Sequence, residues 1–493
     1  MTGLPPELSL RELAFRGSAY MASRQAFAIV VGVAGVIILT RELGPSTYGR
    51  YVAALGIVGF LTFVARFGVE TYLIRRPEPP DARTYRTALT MMLVNGSAVT
   101  ALAVLLASAT IGPLIGDVFV RPFQVLVLAL PLSLLLAPGL AALEREMRYR
   151  QVALIGLINP LAFYGVAVPW SIASPSVWAL VAGYLAAQAS TLVATVVVSD
   201  APVGFSWSGA DARGMVSFCA PFTLLNAVSE ARWLVNPILV GGLLGPAAVG
   251  NVGIALRFTD MLGFIASAGS RVSVAALPRL VTEHERLGRA VSEGMFLQIL
   301  AVAPFYAGFA LLAGSAIPIL LGPQWDASVT VFPMIAAAAM MFAFMRLPVS
   351  LLVVLGRSNI VAVGIMASVV VLAGGTAAAI KTLDSPTGYG VGEVLSIAGL
   401  WIVVRATRRY VSIDYASFAP WIFAFTPTFF YPWVGLPWGL LLYAPLVALL
   451  SRRSERSRLG RYIPYLVPRR GPRASSETVL RDGSPADEDS PRD

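Results

Sequence analysis

The sequence predicts an all-α polytopic membrane protein of about 14 transmembrane helices, with 12 as the smaller alternative. Two parallel six-helix lobes are expected to face each other across a central cavity, with the N and C termini both cytoplasmic. Composition, a rhythm of charged connections and an internal echo lead to this fold. Of 493 residues, 57% are hydrophobic and only 13% charged, with a mean hydropathy of +0.73. Soluble domains are roughly a quarter charged. At about 20 residues per crossing, the apolar residues suffice for about 14 spans and leave little for a soluble domain. One cysteine, Cys219, and one histidine, His284, argue against a disulfide framework, a thiolate metal cluster and most histidine-based catalysis. The net charge of +10 does not point to nucleic acid, because most of the arginines flank apolar runs and serve membrane orientation instead.

Apolar runs between polar breaks place helices at Ser18 to Thr40, Tyr51 to Ile74, Ala88 to Ile111, Phe119 to Leu143, Val152 to Ala173 and Ser176 to Val198. Six more follow the polar stretch Ser199 to Gly214: Met215 to Leu243, Val249 to Ala276, Gly294 to Gly314, Ala327 to Leu352, Ser358 to Ile380 and Tyr389 to Val404. A short pair rich in proline and aromatics, Ala416 to Tyr431 and Gly435 to Leu450, completes the set. The expected units are an N-lobe over 1–200, a C-lobe over 201–410, a helical hairpin over 411–451 and a disordered cytoplasmic tail over 452–493. That tail is polar, first arginine-rich and then acidic, and cannot bury enough apolar surface to fold; its basic half, Arg452 to Arg473, suits anionic head groups.

The connections alternate in charge. Arg11, Arg16, Arg75, Arg76, Arg83, Arg86, Arg145, Arg148, Arg150, Arg213, Arg279, Arg286, Arg289, Arg357, Arg405, Arg408 and Arg409 fall in one set, against Arg41, Arg50, Arg121 and Lys381 in the other. The positive-inside rule makes the first set cytoplasmic. Residues 1–10 lack the charged start of a signal peptide, so the first helix is expected to stay as an anchor.

The internal echo pairs Leu43-Gly44-Pro45-Ser46-Thr47-Tyr48-Gly49 with Leu244-Gly245-Pro246-Ala247-Ala248-Val249-Gly250, 201 residues later. Gly112-Pro113-Leu114-Ile115-Gly116 likewise matches Ile317-Pro318-Ile319-Leu320-Leu321-Gly322, and Tyr149-Arg150-Gln151 matches Gly356-Arg357-Ser358. Six spans separate the copies, an even number, so the halves share orientation, as in transporters built of parallel repeats around a midplane cavity.

At Arg41-Glu42-Leu43-Gly44-Pro45-Ser46-Thr47-Tyr48-Gly49-Arg50-Tyr51 and Phe67-Gly68-Val69-Glu70-Thr71-Tyr72-Leu73-Ile74-Arg75-Arg76 the chain resembles the polysaccharide biosynthesis proteins. These are lipid-linked oligosaccharide flippases of the MOP (multidrug, oligosaccharidyl-lipid, polysaccharide exporter) superfamily. Leu143-Glu144-Arg145-Glu146-Met147-Arg148-Tyr149-Arg150 and Leu321-Gly322-Pro323-Gln324-Trp325 fit the same family. The resemblance implies a flippase of the bacterial cytoplasmic membrane that moves polyprenyl-diphosphate-linked oligosaccharide from the inner to the outer leaflet by alternating access, for surface polysaccharide such as O-antigen, lipopolysaccharide or exopolysaccharide. Its implied partners are lipid-linked oligosaccharide, membrane lipids and other glycan assembly proteins.

Ionised groups inside a bilayer cost at least about 2.5–3.5 kcal/mol, so the charges within the spans are the informative residues. Arg24, Arg66, Arg232, Arg257 and Arg271 are the candidates for the diphosphate, since guanidinium forks match phosphate oxygens. Arg232 leads as the deepest, and Arg257 with Arg271 forms a candidate relay on one helix. Glu70, Glu230 and Asp260 are candidates for ion coupling to a proton or sodium gradient, or for pairing: Arg66 with Glu70 and Arg257 with Asp260 sit at helical spacing. Arg346 is expected to anchor a helix end and Glu393 to be interfacial. Gly32 and Gly35 read as close helix packing. No cofactor, metal site or nucleotide motif is expected. The alternatives are a peptidoglycan-precursor lipid flippase, a MATE-type antiporter, for which an acid-dominated cavity would speak, and a membrane glycosyltransferase or polymerase, which the short loops disfavour.

Overall fold

A computed structural model describes residues 10–280 and 284–466, with side chains described for 27–220, 223, 226–263 and 285–460. It is all helix. In order come α1 Leu10–Arg66, α2 Val69–Arg75, α3 Ala82–Ile115, α4 Asp117–Arg145, α5 Tyr149–Ala173, α6 Val177–Val198, α7 Gly209–Glu230, α8 Pro246–Leu280, α9 His284–Leu321, α10 Pro323–Val354, α11 Ser358–Leu383, α12 Thr387–Thr407, α13 Ala419–Phe429, α14 Ala444–Ser451 and α15 Arg453–Leu466. Nine helices among the described residues are long and apolar enough to cross a membrane, and the protein is a multi-pass membrane protein.

The two halves repeat in their backbone. α1 is two arms joined at Gly44 (φ 68°, ψ 171°), and Gly245 adopts the same conformation before α8 (φ 80°, ψ −174°). Gly116 (φ 112°) and Gly322 (φ 106°) each open a single 3₁₀ turn, whose last residues, Phe119 and Trp325, are fully buried. The third echo is matched at a different register from the one the sequence suggested. Arg148 N–H reaches back to Leu143 O (2.9 Å) as Arg357 N–H does to Leu352 O (2.8 Å), with Met147 and Gly356 in the left-handed region (φ 56° and 72°). Both turns are the six-to-one closure that ends many helices.

Glycines set the closest approaches. A Cβ on Gly49 would collide with Pro246 O, and one on Gly250 with Pro45 O, so the two copies of the first repeat pack reciprocally. α1 and α8 run together across the junction of the halves. Trp325 Nε1 donates to Thr40 O (3.2 Å) at the same end. At the opposite end the basic connections gather. Arg145 Nη1 donates to the carbonyls of Leu73, Ile74 and Arg76 (2.9, 3.1 and 2.8 Å), capping α2, while Arg76 pairs with Asp211 (3.7 Å) and Arg148 with Asp200. Asp81 caps α3 by accepting from Thr84 N–H (2.8 Å) and Oγ1 (2.6 Å), bonds that hold its carboxyl below the usual carboxylate range.

Three expectations are corrected. The span read as Met215 to Leu243 is not one regular helix: after α7 come a 3₁₀ turn, Ala231–Leu234, and a π turn, Asn236–Val240. Pro237 lacks the N–H that would close on Trp233 O, and that carbonyl faces Gly56 instead. The tail begins with α15 rather than disorder. Trp421 Nε1 donates to Glu455 Oε2 (3.0 Å) and the Arg458 guanidinium lies 4.0 Å from the Phe296 ring centroid, so the helix is held through Glu455 and Arg458. Residues 467–493 lie outside the described residues. Finally, Arg66 and Glu70 do pair (3.4 Å), but across a helix break at Phe67 and Gly68, both with positive φ (52° and 71°), rather than along one helix face.

Candidate functional site

Arg232 stands in the 3₁₀ turn that follows α7, where the irregular backbone carries its side chain into a cavity of about 700 Å³. Its Nη2 pairs with Glu393 Oε2, and its guanidinium lies over the Phe342 ring at 4.5 Å. Glu393, on α12, is 1% exposed, and its second oxygen, Oε1, is buried without a hydrogen-bond partner. Asp260 and Arg346 open into the same cavity, as do Tyr306 and Tyr389. Among the described residues neither Asp260 nor Arg346 makes an ion pair. Arg232 and Arg346 line the cavity with Asp260.

A second cavity of about 350 Å³ adjoins the first, sharing Arg232, Asp260 and Tyr389 as its wall. It brings in the other half of the molecule through Tyr48, Tyr51 and Gly56 of α1, together with Glu230 and Arg257. Arg257 Nη2 donates to Tyr164 Oη (2.7 Å), which donates in turn to Gly32 O (3.2 Å). This chain links α8 to α5 and α1. The Tyr164 ring occupies the notch left by Gly35, where a Cβ would collide with it, so the packing role read for Gly32 and Gly35 has a named partner. The expected Arg257–Asp260 pair does not form. Three residues on a helix diverge by about 60°, and Arg257 turns to the tyrosines while Asp260 faces the first cavity.

Two candidate residues, Arg24 and Arg271, have side chains outside the described residues. Arg66 and Glu70 belong to a separate site inside the first half, where Arg66 Nη2 also donates to Ser133 O (3.4 Å). Glu230 lines the second cavity, while Arg232 pairs with Glu393 instead. Across the two cavities the described ionisable side chains are Arg232, Arg257 and Arg346 against Glu230, Asp260 and Glu393. The charges balance among these described residues.

The sequence profile of the polysaccharide biosynthesis protein family matches residues 38–330, more than half of the chain. The chain belongs to that family. A putative O-antigen transporter of Shigella flexneri is 22% identical over 354 residues, covering 68% of this chain and 84% of the transporter. Among solved structures, the lipid II flippase MurJ in an inward closed conformation superposes with a TM-score of 0.73 at 11% identity, covering 90% of this chain and 99% of MurJ. An inward-facing MATE family multidrug resistance transporter of the MOP superfamily gives 0.59 at 15% identity, covering 80% of this chain and 100% of that one. These likenesses show the fold.

For this family member the site contains three residues the sequence reading did not select. Glu393 looked interfacial because it lies near the end of an apolar run, but Gly388, Gly390 and Gly392 draw α12 against Ile380, Met334 and Thr376 and bury it. That stripe of glycines was the available signal. Arg346 looked like an anchor, whereas its helix leaves it open to the cavity. Nothing in the sequence around Tyr164 marks it as the partner of Arg257.

Proposed function

We propose that the protein flips an isoprenoid-diphosphate-linked oligosaccharide from the inner to the outer leaflet of the bacterial cytoplasmic membrane, for assembly of a surface polysaccharide, and that it is a transporter rather than an enzyme. The observation that carries this reading is the cavity pair at the junction of the two halves, where Arg346 stands open and Arg232 and Arg257 approach from α7–α8. An open guanidinium beside two restrained ones suits a diphosphate, which needs several donors at once. Family membership and the O-antigen transporter relative support the same substrate class.

Fourteen crossings with both termini inside fit the order of elements: two arms of α1, then α3 to α6, the broken segment 209–244, α8 to α12, and two short aromatic-rich segments, Ala419–Val434 and Trp438–Ser451. The gathering of arginines at one end supports cytoplasmic loops there. Asp260, carboxylic, unpaired among the described residues and open to the cavity, is the group through which a proton or sodium gradient would act. The peptidoglycan-precursor reading rests on the MurJ fold alone and is set aside for that reason. Depletion of the protein in its native cell tests the proposal. Lipid-linked oligosaccharide should build up on the cytoplasmic leaflet, by leaflet-selective labelling, with loss of surface glycan. Unchanged intermediates in a strain without a redundant flippase would refute it.

A further inference from the structure

One exposed stripe of α12, continued by the turn that ends it, changes character along its length. Val394, Ala398 and Trp401 form its apolar part and Arg405 its last exposed helical residue, while Arg408 and Arg409 follow in the turn after Thr407. Spacings of three and four residues keep Val394, Ala398, Trp401 and Arg405 on one helix face. The opposite face is locked onto α11, because a Cβ on Gly392 would collide with Thr376 and one on Gly399 with Ser368. The stripe therefore faces away from the protein, where a spanning helix meets lipid.

Trp401 is 65% exposed and, with the three arginines, lines a surface groove of about 460 Å³. Among the described residues none of the three guanidiniums makes an ion pair. Arg408 is positioned over the Tyr415 ring, 5.0 Å from its centroid, and next to the groove Arg357 lies 5.6 Å over Tyr410. Orientation by flanking arginines accounts for the charge alone; it does not call for a groove, a stacked guanidinium or an open indole one turn deeper.

We propose that this groove holds the phosphate headgroup of an anionic membrane phospholipid, with its acyl chains along Val394, Ala398 and Trp401. Guanidiniums supply forked donors to phosphate oxygens, tryptophan favours the headgroup level of a bilayer, and the apolar stripe above continues into the hydrocarbon. A free phosphate would leave the apolar half of the stripe unused. The assignment needs only the membrane location and does not rest on the transport reading.

Native mass spectrometry of the purified full chain in detergent tests it, titrating phosphatidylglycerol and phosphatidylcholine separately. We expect one phosphatidylglycerol retained about tenfold more tightly than phosphatidylcholine, and loss of that preference in the triple variant Arg405→Gln, Arg408→Gln, Arg409→Gln. Inorganic phosphate at millimolar concentration should not displace the lipid. A control variant, Arg452→Gln, Arg453→Gln, Arg456→Gln, removes the same charge from α15 and its approach and should keep the preference. Equal retention of both lipids, displacement by inorganic phosphate, an unaltered triple variant or an equally impaired control would each overturn the proposal. Should the triple variant fail to fold, Trp401→Ala carries the same test, with weakened phosphatidylglycerol retention expected and unchanged retention contradicting it.

Discussion

Gly49 and Gly250 occupy the same position in the two copies of one repeat, and each is pressed against the other copy: Gly49 on Pro246 O and Gly250 on Pro45 O. Such reciprocity is what a two-fold relation between the halves produces. The contact lies at the end of the molecule opposite the arginine-rich connections. If the halves rock about the central cavity so that this end opens, the contact must part, and its strength then weighs in the balance between the two openings.

Alanine at either glycine places a methyl group where the backbone of the other copy lies. Overpacking of this kind costs about 1–3 kcal/mol, and 1.4 kcal/mol is a tenfold change in population. Gly49→Ala is expected to shift the protein toward the form open at that end by roughly fivefold to a hundredfold. A cysteine introduced at Arg346 in a Cys219→Ser background should then react faster with an impermeant thiol reagent added outside; an unchanged rate would show that this contact does not gate the cavity.

The Arg232–Glu393 pair predicts an asymmetric mutant series. Breaking a buried pair from one side costs about 3–5 kcal/mol, while replacing both partners with apolar residues of similar size is often neutral. Arg232→Met and Glu393→Leu alone should each lower the Tm by several degrees, and the double variant should recover most of the loss. Transport should stay lost in all three. Full recovery of transport by the double variant would make the pair purely structural.

Tyr164→Phe removes a hydroxyl that accepts from Arg257 and donates to Gly32 O. An unsatisfied buried donor costs about 1–3 kcal/mol, more for a charged one, so a fall in thermal stability is expected together with slower transport. Unchanged behaviour in both would mean that Arg257 is held by its other neighbours.

Asp260→Asn keeps the shape of the carboxyl and removes its charge. Transport driven by an imposed proton or sodium gradient should lose its dependence on that gradient, measured as uptake into vesicles with and without it. A variant that still responds as the parent does would move the coupling role to Glu230 or Glu70.

The membrane character, the helical class and the internal echo were legible because composition and punctuation are local properties: Gly44 and Gly245, or Gly116 and Gly322, mark matching turns whatever surrounds them. The pairing of Arg66 with Glu70 was legible for the same reason, although the intervening break was not. Glu393 was not legible as a site residue, since its burial depends on glycines that bring three helices together rather than on its own neighbours in sequence. Arg257 was assigned to the wrong partner because spacing along a helix says which residues can meet, not which of two nearby faces offers the better acceptor. The balance of charge among the described residues of the two cavities is likewise a property of the assembled helices.

Purified protein in vesicles, supplied with a polyprenyl-diphosphate oligosaccharide labelled on its glycan, tests the central claim most directly. The proposal predicts that the wild-type protein exposes the label to the opposite leaflet at least about tenfold faster than empty vesicles do, and that Arg346→Ala and Arg232→Ala, inserted to the same level, do not. Translocation at the wild-type rate by both variants, or none by the wild type under an imposed gradient, would contradict it.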